Sequence, residues 1–517
     1  MKDKDFLERR LDIIVFMEPC GYAWLIRHFS LLHFPPSHSS QIGKIKSQTV
    51  DARGRVHKTF PQSYWPGDTI LDHLVFALKY DGIELALLAT LFPRLDLQEL
   101  AQWIDQQPTS KYAWRIGFLY EYLLHKTVPV ADRWQGNYVD VLDSERYVVA
   151  TNPVRITRWR VNNNLLGSNW FCPMVRRTPG VVFAEQMVIS EALEKLRDCY
   201  PPELFQRAVN YAYYKETRSS YSIEQENPSP QRTERFVALL REAGQVNFTW
   251  GTLFAEPGLV PLQNAIVDER YRESGFRTIQ NYVGTQRGLE KMQVDYICPP
   301  PEWVDSLIRG LAFCAKMLEI APVVQAALLS FSFVLIHPFV DGNGRLHRFL
   351  IHDTLTRRGF IPQGLLLPVS AVMLRRREDY DRALEYFSRP LMALANYDVS
   401  REMELTLLNA SELEPFYRFP DLTFTVEYLA PVVQESVERE LADELRYLES
   451  YDAVREALIH IVDMPDQRLD LLLRLLDQNG GQLSKKKRGV FAELRDDELA
   501  RMEMVFKEIA LGSNAPG

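Results

Sequence analysis

One thirteen-residue stretch, IHPFVDGNGRLHR at positions 336–348, constrains the fold of this chain more than any other segment. A continuous apolar pattern over residues 321–336 predicts a buried helix, and Pro338 ends it because proline cannot continue a helix. Asp341 and the glycines that follow it predict a tight turn. Helical periodicity resumes over residues 345–358, with Gly359 as a stop signal. Two helices therefore meet at a short loop that is rich in polar groups.

The start of the second helix has the features of an anion site. Backbone N–H groups of Gly342, Asn343 and Gly344 would point at a bound anion, and the positive end of the helix dipole adds to the attraction. Arg345 and Arg348 are three positions apart, so both project from one face of the helix and can hold phosphate oxygens.

A metal ligand and a base lie beside this anion site in the sequence. Asp341 can bind a Mg²⁺ that bridges phosphates, because such an ion takes one or two carboxylates plus substrate oxygens. His337 can accept a proton from an incoming hydroxyl. Each residue alone is more often structural, but together they are the components of phosphoryl-type transfer from a nucleoside triphosphate.

Composition places the chain among globular proteins. Its 517 residues, 46% hydrophobic and 25% charged, predict two or three domains. A net charge of −8 gives no general reason to expect nucleic-acid binding. The five cysteines lack any CxxC pair, which is typical of free thiols in a reducing compartment. The apolar run at residues 13–17 is too short for a signal sequence and residues 321–336 fall short of a bilayer span, so we expect a cytoplasmic protein without a membrane partner.

Periodicity predicts a mainly α fold in three parts. Residues 1–185 combine helices with short β-like runs, such as residues 147–150, and predict an α+β adaptor domain of winged-helix-like order. Residues 186–415 are strongly helical, and residues 416–517 predict a helical C-terminal domain.

A β-hairpin interrupts the central helical part. Residues 276–284 and 294–297 predict its two strands, with Gly288 in the connecting turn. An exposed hairpin of this kind can receive a partner peptide by β-addition.

Two basic clusters raise the alternative of nucleic-acid contact. One is the run KKKR at residues 485–488, and the other consists of Arg155, Arg158, Arg160, Arg176 and Arg177. Solvated arginines and a solvated helix cap are the favoured interpretations, because charged side chains are usually exposed to solvent.

The motif residues carry a resemblance to a known family. HPFVDGNGRLHR resembles the signature HPFx(D/E)GNGRxxR of the Fic (filamentation induced by cyclic AMP) family, and every defining position is met. Those positions are His337, Pro338, Phe339, Asp341, Gly342, Asn343, Gly344, Arg345 and Arg348. Residues 276–298 resemble the family's flap hairpin, and the similarity covers roughly residues 190–400.

This resemblance implies an all-helical core that transfers AMP from ATP to a Ser, Thr or Tyr hydroxyl of a protein, a nucleotidyltransferase reaction. It implies that His337 is the general base and Asp341 the Mg²⁺ ligand. Asn343 and the glycine amides would hold the α-phosphate, Arg345 the β-phosphate and Arg348 the γ-phosphate. Phe339 would anchor the loop, the region of Tyr380 would border the adenine pocket, and the flap would dock the target protein. Glycine at 344 favours nucleotidyl transfer over the phosphotransfer of the Doc-like branch, which has lysine there.

The family also implies a candidate inhibitory segment at residues 215–230. Fic proteins often carry a helix (S/T)xxxE(G/N) whose glutamate pairs with the second arginine of the motif. Two alignments of this motif fit the sequence. Ser222, Glu226 and Asn227 match every position of the motif, whereas Ser220 and Glu224 keep the frequent Ile-Glu pair. The second alignment is favoured because Ile223 would anchor the helix.

Two other functions are compatible with the same residues. The chain could remove AMP, with the inhibitory glutamate activating water, or it could be a DNA-binding regulator or antitoxin-like protein with a weakly active core. The sequence does not name the target protein or the modified hydroxyl, and it leaves formation of a homo-oligomer open.

Overall fold

The computed structural model describes residues 17–131, 134, 136–245, 249–287, 291–317 and 319–511. The fold is mainly helical, with 59% helix and 9% strand, as the periodicity predicts. Within the described ranges, no helix is long and apolar enough to cross a membrane. Residues 13–16 of the N-terminal apolar run and Gly288 of the hairpin turn lie outside these ranges.

The described residues of the N-terminal part form two small sheets and five α-helices. The first sheet, in the order β1-β2-β4-β3, joins β2 and β4 in parallel and its other pairs antiparallel. The elements are β1 (Glu18–Cys20), α1 (Tyr22–Phe29), β2 (His38–Ile42), β3 (Ser47–Val50), β4 (Val56–Phe60), α2 (Ile70–Phe76), α3 (Leu85–Leu91), α4 (Leu97–Asp105) and α5 (Lys111–Leu124). A hydrophobic cluster of its own holds these helices together.

The second sheet has the order β5-β7-β6 and consists of β5 (Val139–Asp140), β6 (Val154–Ile156) and β7 (Val161–Asn163). The predicted run at residues 147–150 is wrong as a strand: Tyr147 makes only an isolated bridge to Arg176. Its side chain is instead buried, and its hydroxyl accepts from Ile83 N at 2.9 Å. The run is apolar because it fills a core, which periodicity alone cannot distinguish from a strand.

The arginines of the first basic cluster are largely paired. Arg158, Arg176 and Arg177 form ion pairs with Glu121, Asp421 and Glu185. Residues 485–488 form a single helical turn that Ser484 caps, with its Oγ accepting from Lys487 N, and Arg488 pairs with Glu503. Arg176 is an ion-paired structural residue whose side chain is 13% exposed, so the interpretation as a solvated arginine is wrong at this position.

The central part is a helical bundle that supports the motif loop. Its helices are α6 (Pro179–Gln186), α7 (Ser190–Cys199), α8 (Pro202–Ile223), α9 (Pro230–Arg241), α10 (Trp250–Leu253), α11 (Glu256–Ile266), α12 (Pro301–Ala315), α13 (Pro322–Ile336), α14 (Asn343–Arg357), α15 (Val369–Arg375) and α16 (Arg377–Leu394). Helix α13 is buried almost all round because it is apolar on every face. It packs along α14, so the motif loop joins two core helices.

The flap hairpin begins later than predicted. Strand β8 (Tyr282–Arg287) pairs antiparallel with β9 (Lys291–Ile297), and the prediction of strand from residue 276 is wrong for residues 276–281. Those residues turn onto the motif loop instead, where the main-chain N–H of Arg277 donates to Pro338 O at 2.9 Å. A second hairpin follows α16 and consists of β10 (Tyr397–Val399) and β11 (Leu405–Leu407).

The C-terminal helices divide between two hydrophobic clusters. They are α17 (Ala410–Arg418), α18 (Thr423–Glu435), α19 (Ala442–Ile461), α20 (Asp466–Asp477), α21 (Lys485–Arg488) and α22 (Asp496–Phe506). Side chains up to Leu445 pack into the central core, whereas those from Val454 to Phe506 form their own cluster. The predicted boundary at residue 416 therefore lies inside a continuous core. The three-domain division and the winged-helix-like order stay predictions.

Candidate active site

His337 lies at the C-terminus of helix α13, and among the described residues only one of its ring nitrogens has a hydrogen-bond partner. The residue is left-handed, with φ 53° and ψ 60°, and its Nδ1 lies 3.1 Å from Val334 O. A carbonyl only accepts, so this contact places the proton on Nδ1 and leaves the Nε2 lone pair free. Burial lowers the pKa of His337 to about 4, against opposing effects of Val334 O and the nearby acids. The ring is therefore neutral near pH 7, as a general base requires.

The loop that follows is stabilised by a buried aromatic side chain and by hydrogen bonds between its own residues. Phe339 is fully buried and meets Phe276 edge-on, with 5.7 Å between the ring centroids. The side chain of Asn343 accepts from Phe339 N at 3.1 Å and donates to Phe339 O at 2.8 Å. Both ends of the Asn343 amide are thus used inside the loop, so its main-chain N–H is the group left to hold a phosphate.

Asp341 lies at the rim of the site. Its Oδ1 accepts from Gly342 N at 2.6 Å and from Arg345 Nη2 at 2.7 Å, and its side chain is 42% exposed. Among the described residues there is no group of three or more His, Cys, Asp or Glu that could hold a metal. A single accessible carboxylate fits a Mg²⁺ that arrives with phosphate oxygens, which supply its remaining ligands.

Arg348 is fully buried and held by helix α8. Its Nε donates to Ser220 Oγ at 2.7 Å, and its Nη2 donates to Ser220 O at 2.9 Å and to Glu224 Oε1 at 2.7 Å. Burial alone would lower the pKa of Arg348, but Glu224, Tyr380 and Glu216 together raise it above its usual value. Likewise burial would raise the pKa of Glu224, and Arg348 holds it below its usual value. Both groups are therefore charged at neutral pH.

Arg345, the first arginine of the motif, is held by the other candidate glutamate. Its Nη2 lies 2.9 Å from Glu226 Oε1 and its Nη1 lies 3.1 Å from Oε2, a bidentate pair. Arg232 joins the same carboxylate at 2.7 Å. The two alignments are therefore not exclusive: Glu224 faces Arg348 and Glu226 faces Arg345. Ser220 is buried in the pair, whereas Ser222 is exposed.

The Glu224 carboxylate lies at the N-terminus of helix α14. A Cβ placed on Gly344 would come within 2.2 Å of Glu224 Oε1, so the oxygen sits directly on this glycine. Buried donors remain beside it: Arg348 Nη1 and Arg345 Nε have no hydrogen-bond partner within the described part of the chain. The site holds an anion now and has unused donors for more anionic oxygens.

Tyr380, the predicted border of a base pocket, lies behind Arg348. It is 3% exposed and stacks on His347 with 6.1 Å between centroids. Burial raises its pKa to about 12, so the phenol stays neutral.

The segment that contains this loop matches a known protein family. Residues 258–355 match the family described as Fic/DOC family. The chain contains a Fic domain. The matched range contains helices α12 and α13, the flap hairpin and the motif loop, together with most of α11 and α14.

Relatives with names match a short part of the chain. A protein named "Protein adenylyltransferase fic-1" from Caenorhabditis elegans is 46% identical over 96 residues, 18% of this chain and 16% of that protein. "Protein adenylyltransferase Fic" from Nematostella vectensis is 37% identical over 82 residues, 15% of this chain and 19% of that protein. The matched stretch thus spans less than a fifth of the length of these relatives.

A solved structure described as a Fic family protein from Desulfovibrio desulfuricans G20 superposes with a TM-score of 0.35 at 21% identity. It covers 63% of this chain and 84% of that chain.

Several residues that support the Fic loop were missed in the sequence. Glu216 on α8 is buried and accepts from His352 Nε2 at 2.9 Å and from Ser370 N at 2.8 Å. Glu216, Ser220 and Glu224 are four apart, so one face of α8 meets His352 and Arg348 on α14. That four-residue spacing of polar residues was the available signal. Arg277 and Glu273 contact the loop from the segment before the flap, and no local pattern marks them.

Proposed function

We propose that this chain transfers AMP from ATP to a Ser, Thr or Tyr hydroxyl of a protein, and that Glu224 holds it inactive in the state described here. The proposal rests on the anion position, the space next to Gly344 at the N-terminus of α14. A Glu224 oxygen fills this position, and Arg348 binds that oxygen at 2.7 Å. The two named relatives are called protein adenylyltransferases, which agrees with it.

The first part of the site binds the nucleotide phosphates. The main-chain N–H groups of Asn343 and Gly344 would donate to a bound anion, whereas that of Gly342 donates to Asp341 Oδ1. The helix dipole favours negative charge at this position. Arg345 and Arg348 are 1% and 0% exposed, so they supply charge in a poorly solvated site where it acts strongly. These groups would stabilise the charge that develops on the leaving pyrophosphate.

The second part activates the hydroxyl. The target oxygen attacks the α-phosphorus and forms a new P–O bond, the bond to the β-phosphate oxygen breaks, and pyrophosphate leaves. His337 Nε2 takes the hydroxyl proton, while Nδ1–H stays bonded to Val334 O and fixes the ring. Asp341 would hold a Mg²⁺, which when bound neutralises phosphate charge.

The flap offers a place for the target segment. Strand β9 packs against helix α16, which leaves β8 as the outer strand of the two-stranded hairpin. Asn281 at the start of β8 donates to Phe339 O and Val340 O, both at 3.2 Å, so this edge runs directly to the motif loop. A target strand added to β8 would carry its hydroxyl toward His337.

Inhibition follows from competition for the same donors. Glu224 uses Arg348 Nη2 and lies on Gly344, so a triphosphate cannot use this arginine and this helix end while the carboxylate stays there. The Glu226 pair with Arg345 adds to the effect because it occupies the other motif arginine. The nucleotide must displace both carboxylates or bind in a pose that misplaces its α-phosphate.

The test is transfer of labelled AMP from ATP with Mg²⁺ to lysate proteins and to the chain itself. The Glu224→Gly protein should label targets more strongly than the unaltered protein, and His337→Ala should abolish the labelling. Loss of label from pre-modified targets without any transfer would instead support AMP removal. Absence of both reactions would contradict the proposal.

A further inference from the structure

Arg277 is a buried cation whose side-chain hydrogen bonds, among the described residues, all go to backbone carbonyls. The residue is 3% exposed and precedes the flap by a few positions. Its Nε donates to His337 O at 2.7 Å, its Nη1 to Ile279 O at 2.9 Å and its Nη2 to Pro299 O at 2.5 Å. The carboxylate that acts on Arg277 is that of Glu302, which forms no hydrogen bond with it among the described residues. Burial lowers the pKa of Arg277, although an arginine stays charged at neutral pH.

The carbonyls that surround Arg277 come from three different segments. Ile279 lies just before strand β8, and Pro299 lies just after strand β9, so the guanidinium binds both ends of the flap. His337 O belongs to the C-terminus of helix α13, where the last carbonyls have no partner within the helix. The main-chain N–H of Arg277 also donates to Pro338 O at 2.9 Å. One side chain therefore fixes the flap to the residue that bears the general base.

We propose that Arg277 is a positioning residue that couples the docked target segment to His337 for the transfer reaction. This inference rests on the proposed function and adds a structural link between the flap and the base. The left-handed backbone of His337 is unfavourable for a residue with a side chain, so surrounding bonds must hold it. Arg277 supplies those bonds at the carbonyl of His337 itself and at the next carbonyl in the chain.

Lysine cannot replace this arrangement. Three nitrogens of the planar guanidinium reach three separate carbonyls, whereas a lysine ammonium is a single point of charge that cannot span them. The Arg277→Lys protein should keep the positive charge but lose the simultaneous hydrogen bonds to the three carbonyls. The Arg277→Gln protein should lose both the charge and these hydrogen bonds. Either change leaves the phosphate-binding arginines untouched, because Arg277 bonds to none of the groups that face the anion position.

The experiment uses the full chain with Glu224→Gly, so that the base and the arginines are accessible. In Arg277→Gln the turnover number for AMP transfer should fall by about 100-fold, the size expected when a catalytic group is misplaced, while ATP affinity changes little. Arg277→Lys should be intermediate. The matched control is Arg309→Gln, since Arg309 is 74% exposed on α12 and forms a surface ion pair with Asp305.

A second readout does not need activity. The charged groups that face His337 are Arg277, Glu224 and Asp341, and Arg277 is the one that disfavours the protonated ring. A ¹³C NMR titration of the His337 ring without nucleotide, assigned by its loss in His337→Ala, should show its pKa rising in Arg277→Gln.

Parallel loss of ATP affinity and turnover, or a His337 titration unchanged by Arg277→Gln, would overturn the proposal. If Arg277→Gln does not fold, as judged by circular dichroism, the same two measurements on Arg277→Lys decide. If the Glu224→Gly protein transfers no AMP at all, the proposed function fails, while the titration still decides the role of Arg277.

Discussion

Glu224 Oε1 lies 2.7 Å from Arg348 Nη2 and in direct contact with Gly344. One carboxylate oxygen therefore binds the buried arginine and covers the N-terminus of the motif helix. Ser220, one turn earlier on the same helix, accepts from the Nε of that arginine. An oxyanion at this position has the same chemistry as a phosphate oxygen, since both accept from guanidinium and backbone N–H groups. The state described here therefore resembles an occupied anion site.

Removing Glu226 should strengthen ATP binding, chiefly when Glu224 is also absent. Glu226 engages Arg345 through two hydrogen bonds and shares its carboxylate with Arg232. We expect Glu226→Ala alone to raise ATP affinity only slightly, because Glu224 still holds Arg348, and the double variant with Glu224→Gly to exceed either single change. Calorimetric titration in the His337→Ala background measures this without turnover. Strictly additive effects of the two changes would contradict a shared site.

Gly344→Ala should change the free energy of unfolding with opposite signs in two backgrounds. A Cβ at this position comes within 2.2 Å of Glu224 Oε1, so alanine should destabilise the unaltered protein by about 1 to 3 kcal/mol. In Glu224→Gly the obstacle is gone, and alanine should stabilise the helix by up to about 1 kcal/mol. Urea unfolding of the four proteins measures the coupling. Equal effects in both backgrounds would show that Glu224 does not rest on Gly344 in solution.

AMP transfer by the Glu224→Gly protein should be insensitive to pH around neutrality. The pKa of His337 is lowered to about 4, below the value of a free imidazole, so the base is already deprotonated throughout the neutral range. Transfer should decline only as the pH falls toward that pKa, because protonation then removes the Nε2 lone pair. Removing Glu224 lowers the His337 pKa further, since this carboxylate favours the charged ring. A rate that halves near pH 6.5 would contradict the burial of His337.

Glu216→Ala should destabilise the fold by about 3 kcal/mol, because it leaves His352 and the Ser370 N–H buried without their partner. The matched control is Glu203→Ala, an exposed position on the same helix, where about 0.5 kcal/mol or less is expected. Thermal and urea unfolding measure both. A cost for Glu216→Ala as small as that of Glu203→Ala would show that α8 is not fastened to α14 at this point.

The loop residues were predictable because they are close in sequence. Pro338, the glycines and the two arginines define a turn and a helix start by local rules, and the structure has both where they were predicted. The ends of the neighbouring elements were not predictable in the same way. Helix α8 runs to Ile223 through a serine-rich stretch whose composition predicts a solvated loop.

That stretch is helical and largely buried because α14 presents charged partners to it, and hydrophobic periodicity does not detect burial by ion pairing. Glu216 and Ser220 are fully buried for this reason. The late start of the flap has a similar cause. Residues 276–281 have a sequence pattern typical of a strand. Arg277 nevertheless binds the carbonyls of Pro299 and His337, which are distant in sequence.

The central claim is that the chain transfers AMP and that Glu224, by binding Arg348, prevents this arginine from binding the nucleotide. The most direct measurement is incorporation of AMP from α-labelled ATP into protein by the unaltered chain, by Glu224→Gly and by Glu224→Gly with His337→Ala. We predict low incorporation in the first and none in the third. In the second we predict a rise of at least about 10-fold, as expected for loss of a coupling of about 1.4 kcal/mol or more. Equal incorporation with and without Glu224, or incorporation that persists without His337, would contradict this account.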